Sequence, residues 1–289
     1  MNINCIYLDL INLLPEYKYC KNMKIEKITG GISNFIYKVL VDDKEPILIR
    51  YYGKQMDNLI SRSQEIKIFK LMSDNNLGPR LIKLFDKGRI EQFIESESLT
   101  EHNIRIFKKE IITKIKQINQ INYDGNLICW ERLNNWNFLI PNYNFEIEIQ
   151  YFKDLLSSYS NNHFLLKEVF CHNDLLPGNI LVDKKNKIHI IDYEYAGINY
   201  LGFELANHLI YYNFKDRISN LEIIDFLKDF KNEDILESDL EIINLFIDLT
   251  YFTWLLWGLI SEKKSNIEFD FKEYINICQK NIKKLNINL

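Results

Sequence analysis

Apolar and polar residues alternate in short runs along the first third of the chain, and beyond it the apolar residues recur at about one helical turn. The first part predicts strands joined by polar turns, whereas the second part predicts helices. Strands are expected at 25–28, 35–41, 47–51, 81–85 and 89–93, and helices up to residue 19 and at 59–75, 101–121, 145–159, 201–212, 221–230, 236–262 and 271–284. We therefore expect an α+β chain with a small antiparallel-sheet lobe over 1–95 and a larger, mainly helical lobe over 96–289.

Two stretches of the helical part need a separate interpretation. Residues 122–144, which include Trp136, are predicted to form an irregular connection. Residues 242–260 are apolar and long enough to cross a membrane, but they contain Asn244 and Asp248. Because a charge near mid-span costs roughly 2.5 to 3.5 kcal/mol, we predict a buried core helix and no membrane insertion.

The stretch 170–195 reads FCHNDLLPGNILVDKKNKIHIIDYEY and contains two short apolar strands, at 180–182 and 188–191, joined by a polar turn at 184–187. His172, Asp174 and Asn179 have the spacing of the protein-kinase catalytic loop, H-x-D-x-x-x-x-N, and Asp192 directly follows the second strand. In that loop the aspartate accepts the proton of the attacking hydroxyl, and the asparagine and the later aspartate hold magnesium. The alternative is a loop whose Asp and Asn side chains only form turns.

Composition limits the remaining functional classes. The chain has 289 residues, of which 47% are hydrophobic and 26% charged, so it can bury a sizeable core. Its net charge of −4 argues against nucleic acid as a partner, because phosphate-backbone binding needs a basic surface. The five cysteines form no C-x-x-C pair, and the N-terminal segment has no basic region before its apolar portion. We expect a protein of the reducing cytoplasm without a signal peptide.

The first lobe has candidates for binding a phosphoryl donor. A loop with two glycines followed by Ser33 and Asn34 joins the first two strands, and its backbone N–H groups could cover phosphates. The alternative is a plain hairpin turn. The third strand ends at Arg50, where a kinase places its phosphate-binding lysine, and the forked guanidinium suits phosphate oxygens. Such a donor carries several negative charges, so Mg²⁺ with oxygen ligands is the expected counterion.

Two further elements of this lobe have predicted roles. In the helix at 59–75, Ile66, Phe69 and Met72 face inward, and Glu65 at the edge of that face could reach Arg50 and orient it. The alternative for this glutamate is a solvated surface position. The connector that leads into the second lobe contains residues whose main-chain groups could bind an adenine edge; these are Gln92 and Ile94.

The chain contains the motifs GGISNFIY, ILIRYYG, GRIEQFI, FCHNDLLPGNILV, IIDYEYAGINYLGFELANH and FTWLLWGLI. Together they make the chain, from about residue 28 to 284, resemble the choline/ethanolamine kinases. The catalytic stretch alone also allows other small-molecule kinases, including the aminoglycoside phosphotransferases. The resemblance implies a protein-kinase-like two-lobe fold and ATP- and Mg²⁺-dependent phosphorylation of the hydroxyl of choline or ethanolamine, for phospholipid head groups. A homodimer is compatible with it.

Residue by residue, the resemblance makes Asp174 the catalytic base and assigns magnesium to Asn179 and Asp192. It assigns phosphates to Arg50, Ser33 and Asn34, and adenine to Gln92 and Ile94. It also places three aromatic residues around the ammonium of the alcohol, namely Tyr195, Trp254 and Trp257. The two tryptophans lie three residues apart on one helix face, and a cation over an indole gains roughly 0.5 to 2 kcal/mol. The alternative is that these aromatic residues are core.

Two positions depart from the family pattern. Tyr211 stands where the family usually has a glutamate, and Glu204 stands where it usually has an aspartate. An aromatic ring suits a quaternary ammonium, whereas a primary ammonium has three N–H donors to satisfy, so Tyr211 favours choline. However, IDYEYAGINY and IEFDF resemble the ethanolamine-preferring members, and both alcohols stay open. A kinase for an aminoglycoside or sugar and a nucleotide-binding pseudokinase are the alternative functions.

Overall fold

The structure is a computed structural model, and it describes residues 3–28, 34–42, 44–53, 59–265, 268–285, 287 and 289. The chain forms two compact units, Met1–Ser96 and Glu97–Leu289. The boundary lies one residue beyond the expected end of the first lobe. The first unit contains the antiparallel sheet, and the second contains most of the helices, as the change of hydrophobic period predicts.

The first unit is built on a five-stranded sheet. Its strands lie in the order β1-β2-β3-β5-β4, and every paired strand is antiparallel to its neighbour. The elements in chain order are α1 (Ile3–Leu13), β1 (Lys24–Ile28), β2 (Asn34–Leu40), β3 (Ile47–Tyr52), α2 (Arg62–Asp74), β4 (Leu81–Phe85) and β5 (Gly88–Gln92). All five predicted strands and both predicted helices are present, with ends shifted by a few residues.

The two faces of this sheet differ in chemistry. One face forms an apolar core with α1, whose Ile6 and Leu10 are fully buried against Ile49 of β3 and Ile90 of β5. Because strand side chains alternate between faces, the neighbours of these residues in β3 and β5 point to the opposite side. That side carries buried charged residues, which are described below. The predicted N-terminal helix, α1, therefore covers the apolar face.

Gly88 controls how closely β3 and β5 approach. A Cβ atom at this position would lie 1.8 Å from the backbone oxygen of Arg50, which no side chain can tolerate. Gly88 pairs with Tyr51, and Arg89 pairs with Arg50 in the antiparallel ladder. The glycine therefore permits the strand pairing that brings the next residues of β5 beside Arg50.

The second unit contains seven helices and two small sheets within the part of the chain that the structure describes. The helices are α3 (Lys108–Asn119), α4 (Cys129–Phe138), α5 (Glu146–Ser157), α6 (Leu201–Ile210), α7 (Asn220–Lys231), α8 (Glu237–Lys264) and α9 (Phe271–Asn281). The strands are β6 (Ser96–Ser98), β7 (Glu168–Cys171), β8 (Ile180–Asp183), β9 (Ile188–Ile190) and β10 (Gly197–Tyr200). They form a two-stranded sheet, β10-β7, and a three-stranded sheet, β6-β8-β9.

Helix α4 corrects one prediction. Residues 122–144 were expected to be irregular, but ten of them form a helix whose buried side chains are Cys129, Leu133 and Trp136. Their spacing of four and three residues is helical, although the polar residues between them weaken the pattern. The helix contacts α5 and α8, so its apolar stripe is held by tertiary packing.

Helix α8 is long and apolar enough to cross a membrane by length and composition, and 94% of its most apolar window is buried inside the protein. Its charged residue at mid-length is paired, because Arg217 forms an ion pair with Asp248. The second oxygen of Asp248 accepts the N–H of Lys284 at 2.9 Å, and Asn244 accepts a guanidinium N–H of Arg217 at 2.9 Å. These contacts describe a core helix with satisfied polar groups, as predicted.

Candidate active site

The predicted hairpin supports the polar loop around Asp174. Strands β8 and β9 pair antiparallel, with Ile180 opposite Ile190 and Val182 opposite Ile188. Asp183 closes the turn, because one of its oxygens accepts the backbone N–H groups of residues 185 and 187, at 2.8 and 3.0 Å. The loop that precedes β8 begins directly after β7, so its two ends are fixed by two different sheets.

Helix α6 holds this loop through three side chains spaced as 204, 207 and 208, which lie on one helix face. Glu204 accepts the backbone N–H groups of residues 172 and 173, both at 2.8 Å. Asn207 accepts the N–H of Leu175 at 2.6 Å, and His208 contacts the carbonyl of Leu175 at 3.4 Å. All three side chains are fully buried, so the helix fixes the loop backbone from the inside.

His172 is a structural brace, and its ring is uncharged near neutral pH. Its Nδ1 accepts the N–H of Asp174 at 3.2 Å, and its Nε2 donates to the carbonyl of Ile191 at 2.8 Å. Burial lowers the pKa of His172 to about 4, so the ring is neutral and the two contacts fix one tautomer. The ring thus ties the backbone of the loop to the residue that precedes Asp192.

Two residues of this region have left-handed backbone conformations, Asn173 and Asp192, each with φ of 65°. Asn and Asp tolerate this region better than other residues with a Cβ atom. The side chain of Asn173 also donates to the carbonyl of Tyr195 at 3.1 Å and accepts from Asn199 at 2.7 Å. Local hydrogen bonds therefore stabilise the sharp turns that aim the neighbouring side chains.

Asp174 lies beside the two residues predicted to share its site. The side-chain nitrogen of Asn179 donates to Asp174 Oδ2 at 3.0 Å and to the Asp174 carbonyl at 2.9 Å. The carbonyl of Asn179 accepts the N–H of Ile191 at 3.0 Å, directly before Asp192. Burial raises the pKa of Asp174 to about 8, and the negative charge of Asp192 adds to the rise. The structure therefore brings the three predicted residues together.

The donor set in this place suits magnesium better than a transition metal. It would consist of the carboxylate of Asp192 and the amide oxygen of Asn179, which are hard oxygen ligands. Among the described residues no group of three or more His, Cys, Asp and Glu side chains could hold a metal. Mg²⁺ needs no such cluster, because it is usually bound by one or two carboxylates together with waters and substrate phosphates.

Tyr195, Trp254 and Trp257, which the family resemblance assigns to the ammonium of the alcohol, form one aromatic cluster. The indole N–H of Trp257 donates to the Tyr195 hydroxyl at 3.1 Å. The rings of Tyr195 and Trp254 meet edge to face with centroids 5.6 Å apart, and the two tryptophan rings lie 6.1 Å apart. Trp254 is 4% exposed, and its indole N–H has no hydrogen-bond partner among the described residues.

Three members of this cluster escaped the sequence prediction. Trp136 of α4 packs its edge on Tyr195 at 6.1 Å, and Arg132 donates to the Tyr195 carbonyl at 2.6 Å. Tyr274 of α9 lies 5.5 Å from Trp257. Arg132 also lies 5.6 Å from the centre of the Tyr195 ring. The helical spacing within α4 was the available signal for the first two residues.

Tyr211 belongs to the same neighbourhood. Its ring stacks on Phe214 at 5.2 Å with an interplanar angle of 13°, and its hydroxyl forms a hydrogen bond with Tyr274. Burial raises the pKa of Tyr211 well above its usual value, and the charge of Asp174 adds to the rise. Tyr211 is therefore connected to the aromatic cluster through Tyr274, which packs against Trp257.

In the first unit, the predicted phosphate-binding residues have different outcomes. Ser33 lies outside the described residues. Asn34 is the first residue of β2 and is 8% exposed. Arg50 is buried and donates to Glu91 at 3.2 Å. The structure places Arg50 in β3 as expected, but its carboxylate partner comes from β5.

The predicted contact between Glu65 and Arg50 is wrong within the described residues. Glu65 instead binds Arg89 at 2.7 Å and also pairs with Arg62. The surface alternative is wrong as well, because Glu65 is only 2% exposed. Helix α2 buries Glu65 together with Ile68, Phe69 and Met72, whereas the predicted inward residue Ile66 is half-buried. The inward face of α2 includes Glu65 because Arg89 of β5 forms an ion pair with it there.

The two connector residues have different main-chain environments. The N–H of Gln92 donates to the carbonyl of Arg80 at 2.9 Å, so its own carbonyl is the main-chain group that it would offer to a base. The carbonyl of Ile94 accepts from the Ser96 hydroxyl at 3.0 Å, so Ile94 would offer its N–H. The assignment of adenine to these two main-chain groups stays a prediction.

Structural similarity to known proteins defines the fold class. A choline kinase from Cryptosporidium parvum has a TM-score of 0.78 at 22% identity, over 97% of this chain and 94% of that chain. An ethanolamine kinase from Plasmodium vivax has a TM-score of 0.79 at 22% identity, over 96% and 86%. A type I macrolide 2′-phosphotransferase has a TM-score of 0.64 at 14% identity, over 97% and 98%. The fold is therefore that of the protein-kinase-like phosphotransferases, as predicted.

Sequence similarity narrows the class. The chain belongs to the choline/ethanolamine kinase family, whose profile matches residues 25–280. Probable ethanolamine kinase A of Dictyostelium discoideum is 31% identical over 90% of this chain and 85% of that protein. Probable choline kinase 1 of Arabidopsis thaliana is 29% identical over 88% and 84%. The family resemblance is confirmed, and it supports a small-molecule kinase.

Proposed function

We propose that this protein transfers the γ-phosphoryl group of ATP to the hydroxyl of choline or ethanolamine, with Mg²⁺ as the counterion. The observation that carries the proposal lies within the second unit. Asp174, hydrogen-bonded by Asn179 and repelled by Asp192, occupies the same unit as the cluster of Tyr195 and its tryptophans. A carboxylate that accepts a proton and an aromatic wall that attracts a cation are the two needs of an amino-alcohol kinase.

In the proposed reaction Asp174 binds the acceptor hydroxyl and receives its proton. The acceptor oxygen forms a bond to the γ-phosphorus, the bond between that phosphorus and the bridging oxygen breaks, and ADP leaves. Bound Mg²⁺ would neutralise the phosphate charges, with Asn179 and Asp192 as its protein ligands. A positive charge there also lowers the pKa of Asp174, which burial and Asp192 raise to about 8 in its absence. The ionised base is therefore favoured when the donor is in place.

The nucleotide is assigned to residues of the first unit. Arg50, Ser33 and Asn34 would bind phosphate oxygens, and Gln92 and Ile94 would bind adenine through a carbonyl and an N–H. The guanidinium of Arg50 is buried and already oriented by a carboxylate, so little side-chain entropy is lost when it binds phosphate.

The aromatic cluster supports a cationic acceptor, and its chemistry favours choline over ethanolamine. Tyr195, Tyr211, Trp254 and Trp257 supply ring faces and carry no carboxylate. A quaternary ammonium needs only ring faces, whereas a primary ammonium brings three N–H donors. Tyr211 uses its hydroxyl in a hydrogen bond with Tyr274.

The proposal places the protein in a reducing cytoplasm, in agreement with its five free thiols.

A coupled assay of ADP release with choline, ethanolamine and an aminoglycoside tests the proposal. We expect turnover of the amino alcohols that requires Mg²⁺ and disappears in Asp174→Asn. Trp254→Ala should raise KM for choline by about tenfold, since it removes a desolvated cation–π contact of up to about 2 kcal/mol. Binding of ATP without turnover of either alcohol would reject the proposed acceptor. Aminoglycoside turnover that survives Trp254→Ala would instead support the alternative kinase.

A further inference from the structure

Five charged residues, four of them buried, form a continuous chain of ion pairs in the first unit, on the face of the sheet that α2 covers. They are, in order of contact, Arg50, Glu91, Arg89, Glu65 and Arg62. We refer to these five residues as the arginine–glutamate chain. Glu91 and Arg89 come from β5, Glu65 and Arg62 come from α2, and Arg50 comes from β3. Strand β3 and helix α2 are therefore connected through carboxylates.

Strand geometry explains why the chain forms. Arg50 and Arg89 are directly opposite each other in the ladder of β3 and β5, where like charges repel. Glu91 lies two residues beyond Arg89 and therefore on the same face. It accepts from Arg50 at 3.2 Å with one oxygen and pairs with Arg89 through the other. A single carboxylate thus holds two guanidinium groups that would otherwise repel each other.

The other half of the chain extends to α2. Arg89 donates to one oxygen of Glu65 at 2.7 Å, and Arg62 pairs with the other oxygen. The guanidinium of Arg89 also covers the ring of Phe69 at 3.9 Å. Arg89, Glu65 and Glu91 have side chains no more than 2% exposed. Buried charges at such positions are held rigidly, because loss of any contact leaves a desolvated charge.

Both ends of the chain lie at residues predicted to bind phosphate. Arg50 is itself the predicted phosphate-binding residue of β3. At the other end, Arg62 donates to the side-chain oxygen of Asn34 at 3.4 Å and to the carbonyl of Gly53 at 3.3 Å. Its guanidinium lies 4.4 Å from the centre of the Tyr52 ring, and its side chain is 19% exposed. Arg62 is thus fixed beside Asn34, the first residue of β2, and its side chain is partly open to solvent.

We propose that Glu91 is the positioning residue that orients Arg50 toward the nucleotide phosphates, and that Arg62 is a second phosphate-binding arginine. The arginine–glutamate chain then sets the separation of two guanidinium forks, each suited to a phosphate oxygen pair. Helix α2 supplies one fork, which Glu65 orients, and the ion pairs of Glu65, Arg89 and Glu91 connect this helix to Arg50 through β5. The inference rests on the proposed function in one respect, that the ligand of Arg50 is ATP.

The test compares ligands that differ in phosphate number. Titration calorimetry with ATP, ADP and adenosine is performed on the full-length protein and on Glu91→Gln, which keeps the shape of the side chain and removes its charge. We expect the affinity for ATP to fall by about tenfold or more, since a charge-assisted hydrogen bond is worth about 1.5 to 3 kcal/mol. The affinity for adenosine should change less than about twofold, and KM for ATP should rise more than kcat falls.

Arg62→Gln provides the second variant and does not depend on the stability of Glu91→Gln. Its side chain lies at the end of the chain, so the substitution leaves no buried charge between two others. The substitution should also lower the affinity for ATP more than the affinity for adenosine. The expected loss is about tenfold, for one lost guanidinium–phosphate contact. Matched controls are Glu26→Gln and Lys24→Gln, an exposed ion pair of β1 in the same unit. These controls should leave all three affinities unchanged.

The outcomes separate positioning from a purely structural role. If Glu91→Gln and Arg62→Gln lower the unfolding temperature but keep the ratio of ATP to adenosine affinity, the chain only stabilises the fold and the proposal is rejected. If Glu91→Gln does not fold, Arg62→Gln decides by the same ratio. Wild-type protein that binds ATP but phosphorylates neither alcohol would reject the acceptor while the ratio still tests this inference. Absence of ATP binding would reject both.

Discussion

Replacing Asp174 with Asn should stabilise the metal-free protein and abolish phosphoryl transfer. The side chain is 8% exposed, and its pKa of about 8 compares with an ordinary value of 3.8, because of burial and then the charge of Asp192. The amide keeps the shape and can still accept the hydrogen bond of Asn179. It removes a buried charge that repels another, so the proposed catalytic base is also a destabilising residue.

The size of the gain depends on pH in a defined direction. Because the pKa of Asp174 is raised in the folded state, folding favours the protonated acid and wild-type stability falls as pH rises from about 3.8 to about 8. At about 1.4 kcal/mol per pH unit, this interval sets an upper limit of about 6 kcal/mol. Relaxation and water entry reduce it, so we expect a gain of at least about 1 kcal/mol near pH 8.5 and almost none near pH 4.

Urea unfolding with EDTA at several pH values measures this difference. The control is Asp183→Asn in the adjacent turn, where a hydrogen bond from His189 lowers the pKa of the carboxyl to about 2. That substitution should cost stability near neutral pH, so the two Asp-to-Asn changes have opposite signs. Added Mg²⁺ should stabilise the wild type more than Asp174→Asn, because only the wild type has the full charge that the ion neutralises. A variant that is less stable than the wild type near pH 8.5 would refute the reasoning.

Three further substitutions test separate parts of the structure. Glu204→Gln replaces one of the two carboxylate oxygens that accept buried N–H groups with an NH₂ donor. Urea unfolding should therefore show a loss of about 1.5 to 3 kcal/mol in the free energy of unfolding, and kcat should fall. An unchanged kcat would mean that the loop keeps its geometry without the Glu204 carboxylate. Gly88→Ala forces a Cβ atom to within 1.8 Å of the Arg50 carbonyl, and the yield of folded protein on gel filtration should fall sharply. Tyr211→Glu should raise the ratio of kcat/KM for ethanolamine to that for choline; an unchanged ratio would show that position 211 does not face the alcohol.

Sequence patterns predicted the hairpin and its loop because both depend on local chemistry. A polar turn separates the apolar strands at 180–182 and 188–191, and Asp192 directly follows the second strand. The offsets among Asp174, Asn179 and Asp192 are fixed by the short hairpin, so a few residues are enough to bring the three side chains together. Tyr195 and its tryptophans were assigned through the family resemblance, and the structure shows them in contact.

The partner of Arg50 could not be predicted from helix periodicity alone. Two carboxylates, Glu65 and Glu91, were available, and the choice depended on which faces of α2 and β5 meet. The alternation Arg89–Ile90–Glu91 contained the relevant signal, since its charged residues share one strand face with Arg50 once the register is known. Register is a long-range property, and Gly88 helps to set it. The polar sequence of α4 concealed Arg132 and Trp136 for a similar reason, because its burial comes from neighbouring helices.

The conformation of the loop around Asp174 and the buried Glu204 of α6 stabilise each other. Asn173 and Asp192 have left-handed backbones, and Asp174 has a carboxylate that burial and Asp192 destabilise when it is ionised. Relaxation of the loop would relieve both features, but Glu204 binds two consecutive N–H groups of the loop from a fully buried position. Burial raises the pKa of Glu204 to about 7, so its ionised form is itself retained only through those N–H groups. Loosening the loop would therefore leave a second buried carboxylate without donors, which is why the strained geometry persists before any cation or phosphate arrives.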